Sequence, residues 1–167
     1  TIMLNIGTIN ISNLYVGSSE VDRVYLGTDI VYEKQMPVNA VVFTAQQANS
    51  TIGLVKLSTN QTLEYSTDLT TWSAMTTAST ITLANSGDTV YVRGVLSANN
   101  TDSNYTQFKM TGVISASGNC NYLWDYENPD SQLKQYCGRR MFYSCTSLTT
   151  APELPATTLA VGCYYSM

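Results

Sequence analysis

Apolar and polar residues alternate along many short stretches of this chain, and turn-forming residues separate the stretches. From Thr89 to Leu96, for example, Val90, Val92 and Gly94 would face one side of an extended strand and the residues between them the other. Similar stretches recur between residues 39 and 117, as AVVFTA, TIGLVKL, TLEYSTD, TWSAMT, TITLA, TVYVRGVL and TQFKMTGVISA. Short strands at this spacing predict an antiparallel β-sandwich over residues 37–118, with Trp72 in its core or at its rim.

The first segment contains an internal repeat. LYVGSSEVDR from Leu14 is followed by VYLGTDIVYE from Val24, ten residues later. Each copy has a strand-like stretch, a Gly-Ser or Gly-Thr turn and a return strand. The pattern predicts a small strand meander over residues 2–33, within a module of residues 1–36 that ends before Pro37.

This module is rich in apolar residues for its size, and about thirty residues bury little surface alone. Some of its apolar side chains are therefore expected to meet another chain or, alternatively, the next domain of the same chain. The candidate attachment residues are Leu4, Ile6, Ile9, Ile11, Leu14, Tyr15, Val16, Tyr25 and Leu26.

The pattern changes again from Asn119 onward. A short helix is predicted over residues 131–136, after Pro129. Cys137 recurs as Cys163, 26 residues later, and Met141 recurs as Met167. Two prolines in APELPA exclude a helix between these positions. A period of this length is typical of leucine-rich-type solenoids, so residues 119–167 are predicted to form a cap and the first solenoid turn.

Charge and composition narrow the possible functions. The net charge is −4, only 12% of residues are charged, and no basic stretch is present, which argues against nucleic-acid binding. There is no histidine, so His-based triads and His-based zinc sites are excluded within this chain. No apolar run approaches the ~20 residues of a membrane-spanning helix. No cofactor or metal is expected, and the sequence indicates a protein that is not an enzyme.

Two groups of side chains have chemistry to consider. The four cysteines lack paired metal-ligand spacing, so they are expected to be reduced, buried side chains inside the solenoid. Trp124, Asp125 and Tyr126 form the one stretch that resembles a sugar-contacting site, near Glu127 and Asp130. The alternative for that stretch is a linker whose aromatic residues pack on the repeat cap. Asp68, Asn85 and Asp88 are expected to form turns.

The end of the chain, CTSLTTAPELPATTLAVGCYYSM, resembles the BspA-type leucine-rich repeat. LEYSTDLTTWSAMT, ITLANSGDTVYVRG and QFKMTGVISASGN are similar to the immunoglobulin-like domain that often precedes such repeats in proteins of gut Bacteroidetes and their phages. NLYVGSSEVDRVYLGTDIVYE looks like the Gly-aromatic modules at the start of tailed-phage tail, baseplate and head-fibre proteins. These resemblances imply an all-β virion appendage of a gut phage, of the crAss-like kind.

The resemblance implies a head or tail fibre, assembled in the bacterial host cytoplasm. Its partners would be capsid, collar or tail proteins and further copies of itself, a trimer being favoured, with a bacterial surface glycan as a possible host contact. The alternative is a bacterial cell-surface adhesin or polysaccharide-binding module with the same repeats. The last residues, CYYSM, align with the start of CGRRMF, so we expect that a second repeat begins here and would continue with Phe.

Overall fold

The chain forms two compact units, residues 1–37 and 38–167. The computed structural model describes residues 15–16, 19–21, 23–26, 29–33 and 38–167. The division falls between Pro37 and Val38.

Two β-hairpins make up the described part of the N-terminal unit. Their strands are β1 (Tyr15–Val16), β2 (Ser19–Glu20), β3 (Arg23–Leu26) and β4 (Asp29–Glu33). β1 pairs antiparallel with β2, and β3 with β4. Val16 is paired with Ser19, and ten residues later Leu26 is paired with Asp29. The predicted pairs of strands are therefore confirmed at both copies, whereas the residues predicted to form the turns, 17–18 and 27–28, lie outside the described residues.

Nine strands form the framework of the second unit. They are β5 (Val41–Ala45), β6 (Ser50–Lys56), β7 (Gln61–Ser66), β8 (Ser73–Ala74), β9 (Thr80–Leu83), β10 (Thr89–Leu96), β11 (Gln107–Thr111), β12 (Ile114–Ser117) and β13 (Leu148–Thr150). Each of β5 to β10 overlaps one stretch whose alternation predicts a strand. The prediction of short strands in this region is confirmed.

These strands form two sheets. One has the order β13-β12-β5-β10-β7-β8, and the other has the order β11-β6-β9. All pairings are antiparallel except that of β12 with β13, which is parallel. The chain is thus all-β in its described residues, as predicted, with largely antiparallel sheets.

One hydrophobic core receives side chains from both sheets. On β10 the buried residues are Val90, Val92, Gly94 and Leu96, so the alternation predicted from the sequence is confirmed. The larger sheet contributes core residues from β5 and β10, and the smaller sheet contributes them from β6, β9 and β11. These residues are Val41, Phe43, Ala45, Ile52, Leu54, Ile81, Leu83, Val90, Val92, Leu96 and Phe108. Burial of an aliphatic or aromatic side chain contributes about 1.5–3 kcal/mol, so this shared core is the main source of stability.

A glycine divides one predicted strand into two. The stretch TQFKMTGVISA was expected to be continuous, but it forms β11 and β12 in different sheets. Gly112 lies between them with φ of 77°, and a Cβ at this position would lie 2.4 Å from Ser50 Oγ. Only glycine fits this conformation and this close approach, so the chain crosses from one sheet to the other here.

The predicted helix over residues 131–136 is wrong. A single turn of 3-10 helix forms earlier, at Cys120–Leu123, where the Asn119 side chain accepts a hydrogen bond from the Asn121 backbone N–H. At Tyr136 the φ angle is 56°, and its N–H donates to the Val161 carbonyl oxygen (2.9 Å). An α-helix cannot form where the backbone is left-handed and bonded to a distant segment.

Residues 119–167 belong to the same compact unit as the sheets. β13 extends the larger sheet, and Cys137, Met141 and Phe142 enter the common core. The predicted domain boundary at residues 118/119 therefore falls inside this unit. In the part of the chain that the structure describes, no helix is long and apolar enough to cross a bilayer.

Candidate functional site

The C-terminal region contains two successive coils with the same hydrogen bonds. Three backbone bonds recur at an offset of 26 residues. The N–H groups of Cys137, Arg139 and Met141 donate to the carbonyl oxygens three residues earlier, at 3.2–3.3 Å, and those of Cys163, Tyr165 and Met167 do the same. The sequence repeat is therefore also a repeat of backbone structure.

Unusual backbone angles recur at the same offset. Tyr136 has φ of 56° and Gly162 has 67°, while Arg140 has 51° and Ser166 has 54°. Left-handed conformations cost non-glycine residues about 1–2 kcal/mol each, so their recurrence indicates a shared coil geometry rather than a random turn. The sequence alone shows this only as recurring Cys and Met residues.

The two coils stack through backbone hydrogen bonds. The N–H groups of Tyr136 and Arg140 donate to the carbonyl oxygens of Val161 and Tyr165, at 2.9 and 3.0 Å. On the second coil, Leu159, Val161 and Tyr165 are 59%, 65% and 56% exposed. These side chains form an exposed apolar face on the second coil.

The four cysteines lie within residues 119–167. Cys120 and Cys137 are fully buried, Cys145 and Cys163 are half-buried, and all four are free thiols. Burial raises the pKa of Cys137 to about 12 and that of Cys145 to about 11, and it also raises the pKa of Cys120. The buried thiols are thus protonated and pack as small apolar side chains.

Of the predicted attachment residues, four lie on described strands. Tyr15 and Val16 are on β1, and Tyr25 and Leu26 are on β3. Val16 is 59% exposed. Leu4, Ile6, Ile9, Ile11 and Leu14 lie outside the described residues.

The predicted sugar-contacting stretch is only partly at the surface. Trp124 is 4% exposed, and its ring centre lies 6.0 Å from that of Tyr164, so little of its side chain is available to a sugar. Its indole packs in the core beneath the coils, as in the alternative interpretation. The Asp125 carboxylate accepts hydrogen bonds from the Asn128 N–H and the Ser131 hydroxyl, both at 2.9 Å, and so holds a turn.

Tyr126 belongs to a stack on the outer face of the larger sheet. The Arg93 guanidinium lies 4.2 Å from the ring centre of Tyr126 and 3.8 Å from that of Trp72. Glu64 on the neighbouring strand accepts from Arg93, with an Nη2–Oε2 distance of 3.1 Å. Trp72 is half-buried in this stack, in agreement with the prediction that it lies in the core or at the rim of the sheets. Strand alternation in the sequence predicts that Arg93 points outward. It does not predict the two aromatic neighbours of Arg93, which come from distant segments.

A second group of cations surrounds Tyr105. The Lys56 ammonium lies 4.5 Å from the centre of the Tyr105 ring, and the Arg140 guanidinium lies 5.5 Å from it. Arg139 forms an ion pair with Asp102 at 3.0 Å and lies 4.6 Å from the Tyr165 ring centre. We call this group the Tyr105 patch, which consists of Lys56, Tyr105, Arg139, Arg140, Tyr143 and Tyr165.

The electrostatics of the Tyr105 patch are those of a positive site. A hydrogen bond from Arg140 and the charges of Arg140, Lys56 and Arg139 lower the pKa of Tyr105. Sequence reasoning missed this site because these cations are scattered along the chain. The fold brings Lys56 at the end of β6 next to the coil that contains Arg139 and Arg140.

A surface cleft of about 460 Å³ lies between residues 130–133 and 155–158. Asp130 is the carboxylate in its lining, together with Asn121 and hydroxyl-bearing residues. In the described residues, no group of three or more His, Cys, Asp or Glu side chains could hold a metal ion. Asp68 and Asp88 accept backbone hydrogen bonds in their turns, as predicted.

No protein-family model matches the chain, and comparisons with curated proteins and with solved structures give no match either.

Proposed function

We propose that this protein is a non-enzymatic structural component of a phage virion, a head or tail fibre that decorates the particle. Its N-terminal module would attach to capsid, collar or tail proteins, its two sheets would act as an immunoglobulin-like spacer, and its coils would extend toward the host surface. The proposal rests on the resemblances in the sequence.

The observation that supports the proposal most is the repeat of coil geometry 26 residues apart. A solenoid grows by adding coils that contact only their neighbours, so it can extend a protein to any length in one direction. The second coil exposes Leu159 and Val161 on its outer side. This is the geometry expected of an elongated appendage.

The spacer role is supported by the two largely antiparallel sheets that share one core. A folded body of this kind would serve as a compact segment of the proposed fibre. Fibres are commonly symmetric homo-oligomers, and symmetry would let the small N-terminal module bury enough surface for stable attachment. We propose a trimer.

Deletion of residues 1–36 tests the attachment role. Purified particles are mixed with the full chain or with the deletion variant, and bound protein is measured after sedimentation. We expect the full chain to co-sediment and the deletion variant to stay in solution, with the variant's melting transition as the control for folding. Equal binding of both proteins to particles would contradict the proposal.

The alternative is a bacterial cell-surface adhesin or polysaccharide-binding module. The two groups of cations and aromatic rings at the surface favour a binding role of this kind. An adhesin would be found on bacterial cells in the absence of phage particles, so the location of the native protein discriminates between the two.

A further inference from the structure

Two cations of the Tyr105 patch have no anionic partner among the described residues. Asp102 pairs with Arg139, whereas Lys56 and Arg140 form no ion pair with any described residue. The Nε atom of Arg140 is buried without a hydrogen-bond partner, and its Nη1 atom lies 3.5 Å from the Tyr105 hydroxyl. Because a partly buried guanidinium is stabilised by pairing, Arg140 is poised to bind an anion. The Lys56 ammonium donates one hydrogen bond to the Ser103 carbonyl oxygen (2.5 Å), and its other two N–H groups can donate to an anion.

A cluster of positive charges is unexpected in a chain with net charge −4 and only eight Lys and Arg residues. Three of those cations act together on the Tyr105 hydroxyl. At physiological salt, charges beyond about 8 Å are largely screened, so a ligand at this patch would meet local positive charge rather than the overall negative charge. The patch can therefore attract an anion that the rest of the surface repels.

Exposed aromatic rings lie beside the charges. Tyr143 and Tyr165 are 51% and 56% exposed, and their ring centres lie 5.6 Å from Arg140 and 4.6 Å from Arg139. A tyrosine ring offers an apolar face with a hydroxyl at its edge. Such faces match the C–H faces and hydroxyl groups of a sugar ring, whereas phosphate alone would need no aromatic surface.

We propose that the Tyr105 patch binds an acidic polysaccharide, with Lys56 and Arg140 pairing with its anionic groups and Tyr143 and Tyr165 packing on its sugar rings. Two uncompensated charges suit one or two acidic sugars. They do not suit the continuous phosphate backbone of a nucleic acid, which needs a longer basic surface. This inference deepens the proposed host-contacting role of the coils and rests on it for its biological setting.

Binding of the full chain to defined polymers tests the proposal. The probes are polygalacturonate, dextran sulfate and neutral dextran, with a single-stranded DNA oligonucleotide as a fourth ligand, all measured by isothermal titration. We expect binding to polygalacturonate or dextran sulfate, and the comparison of the two shows whether carboxylate or sulfate groups are recognised. Binding to neither polymer, or tighter binding to DNA, would overturn the proposal.

Variants locate the site. Removing Lys56 and Arg140 together, as K56Q and R140Q, should weaken binding by about tenfold or more, since each loses a charge-assisted hydrogen bond. The matched control is Lys109→Gln, which removes an exposed cation that does not act on Tyr105. An equal loss in the control would show diffuse charge attraction and would reject the patch.

Folding of the variants is checked by their melting temperatures. If the double variant is unstable, the single variant Lys56→Gln is used for the test. Lys56 is half-buried at the end of β6, so its substitution should disturb the fold less than the double substitution does. A folded Lys56→Gln protein that binds like the control would contradict the proposal. These assays contain no phage particles, so their failure is distinguishable from failure of the attachment role.

Discussion

The sheet region, residues 38–118, and the coil region, residues 119–167, reach a stable structure by different means. The sheet region has eight of the nine strands of its unit, whereas the coil region has one turn of 3-10 helix and the short β13. Conversely, among the residues that the structure describes, five of the seven non-glycine residues with positive φ lie in the coil region. Hydrogen bonds between paired strands stabilise the sheet region. The coil region is stabilised by hydrogen bonds within turns, and several of its residues adopt strained backbone angles.

The coil region therefore depends on the sheet region for its burial. Phe142 of the first coil packs against Phe43 and Phe108 of the two sheets, with ring centres 6.1 and 5.3 Å away. A buried hydrogen bond of 2.7 Å from the Gln61 side-chain amide to the Leu123 carbonyl oxygen also joins the regions. A coil with few regular bonds is stable here because one face of it completes an existing core.

The largest expected effect comes from this aromatic cluster. Phe43→Ala should lower the free energy of unfolding by about 3–5 kcal/mol, because it leaves a cavity where sheets and coil meet. Phe142→Ala should lower the midpoint of the same single unfolding transition, measured by urea denaturation. Val55→Ala is the control, since Val55 is 55% exposed. If Phe142→Ala leaves the main transition unchanged, the two regions do not share a core.

A pair of glycines tests the coil geometry itself. Gly162 and Gly87 both have positive φ, so alanine at either position should cost about 1–2 kcal/mol in backbone strain. At Gly162 the new Cβ would lie 2.3 Å from the Tyr136 ring, whereas at Gly87 it would meet nothing within 4 Å. Gly162→Ala should therefore destabilise the protein more than Gly87→Ala in urea titrations. Equal losses would mean that the coils do not stack as described.

Alkaline pH should destabilise the protein through its buried thiols, and the coil region contains all four cysteines. Burial raises the pKa of Cys137 to about 12 and also raises that of Cys120. Above about pH 9 the unfolded chain loses these protons while the folded chain keeps them, so stability falls as pH rises, by up to about 1.4 kcal/mol per pH unit for each thiol.

The measurement is the urea midpoint between pH 8.5 and about 10.5, compared with that of a variant with Cys137→Ala. Tyrosine ionisation affects both proteins alike. The urea midpoint of the variant should therefore fall less steeply with pH, and the difference between the two slopes gives the contribution of the Cys137 thiol. An identical slope would show that Cys137 is not protected in the folded protein.

Features in all three parts of the protein follow from the sequence by itself. Alternation in β10 identifies the buried face, and the ten-residue repeat identifies both N-terminal hairpins, because side-chain direction in a strand depends only on position along it. The recurrence of Cys137 as Cys163 likewise indicates the coil period. These features are local or periodic, so neighbouring residues are enough to determine them.

The surface sites were decided only by the tertiary structure. Trp124 packs against Tyr164, forty residues later, and the crossing between sheets at Gly112 brings its backbone against Ser50. The Tyr105 patch brings together cations from β6 and from the coil. Contacts between segments far apart in sequence depend on how all the elements pack, and no pattern within a single segment contains that information.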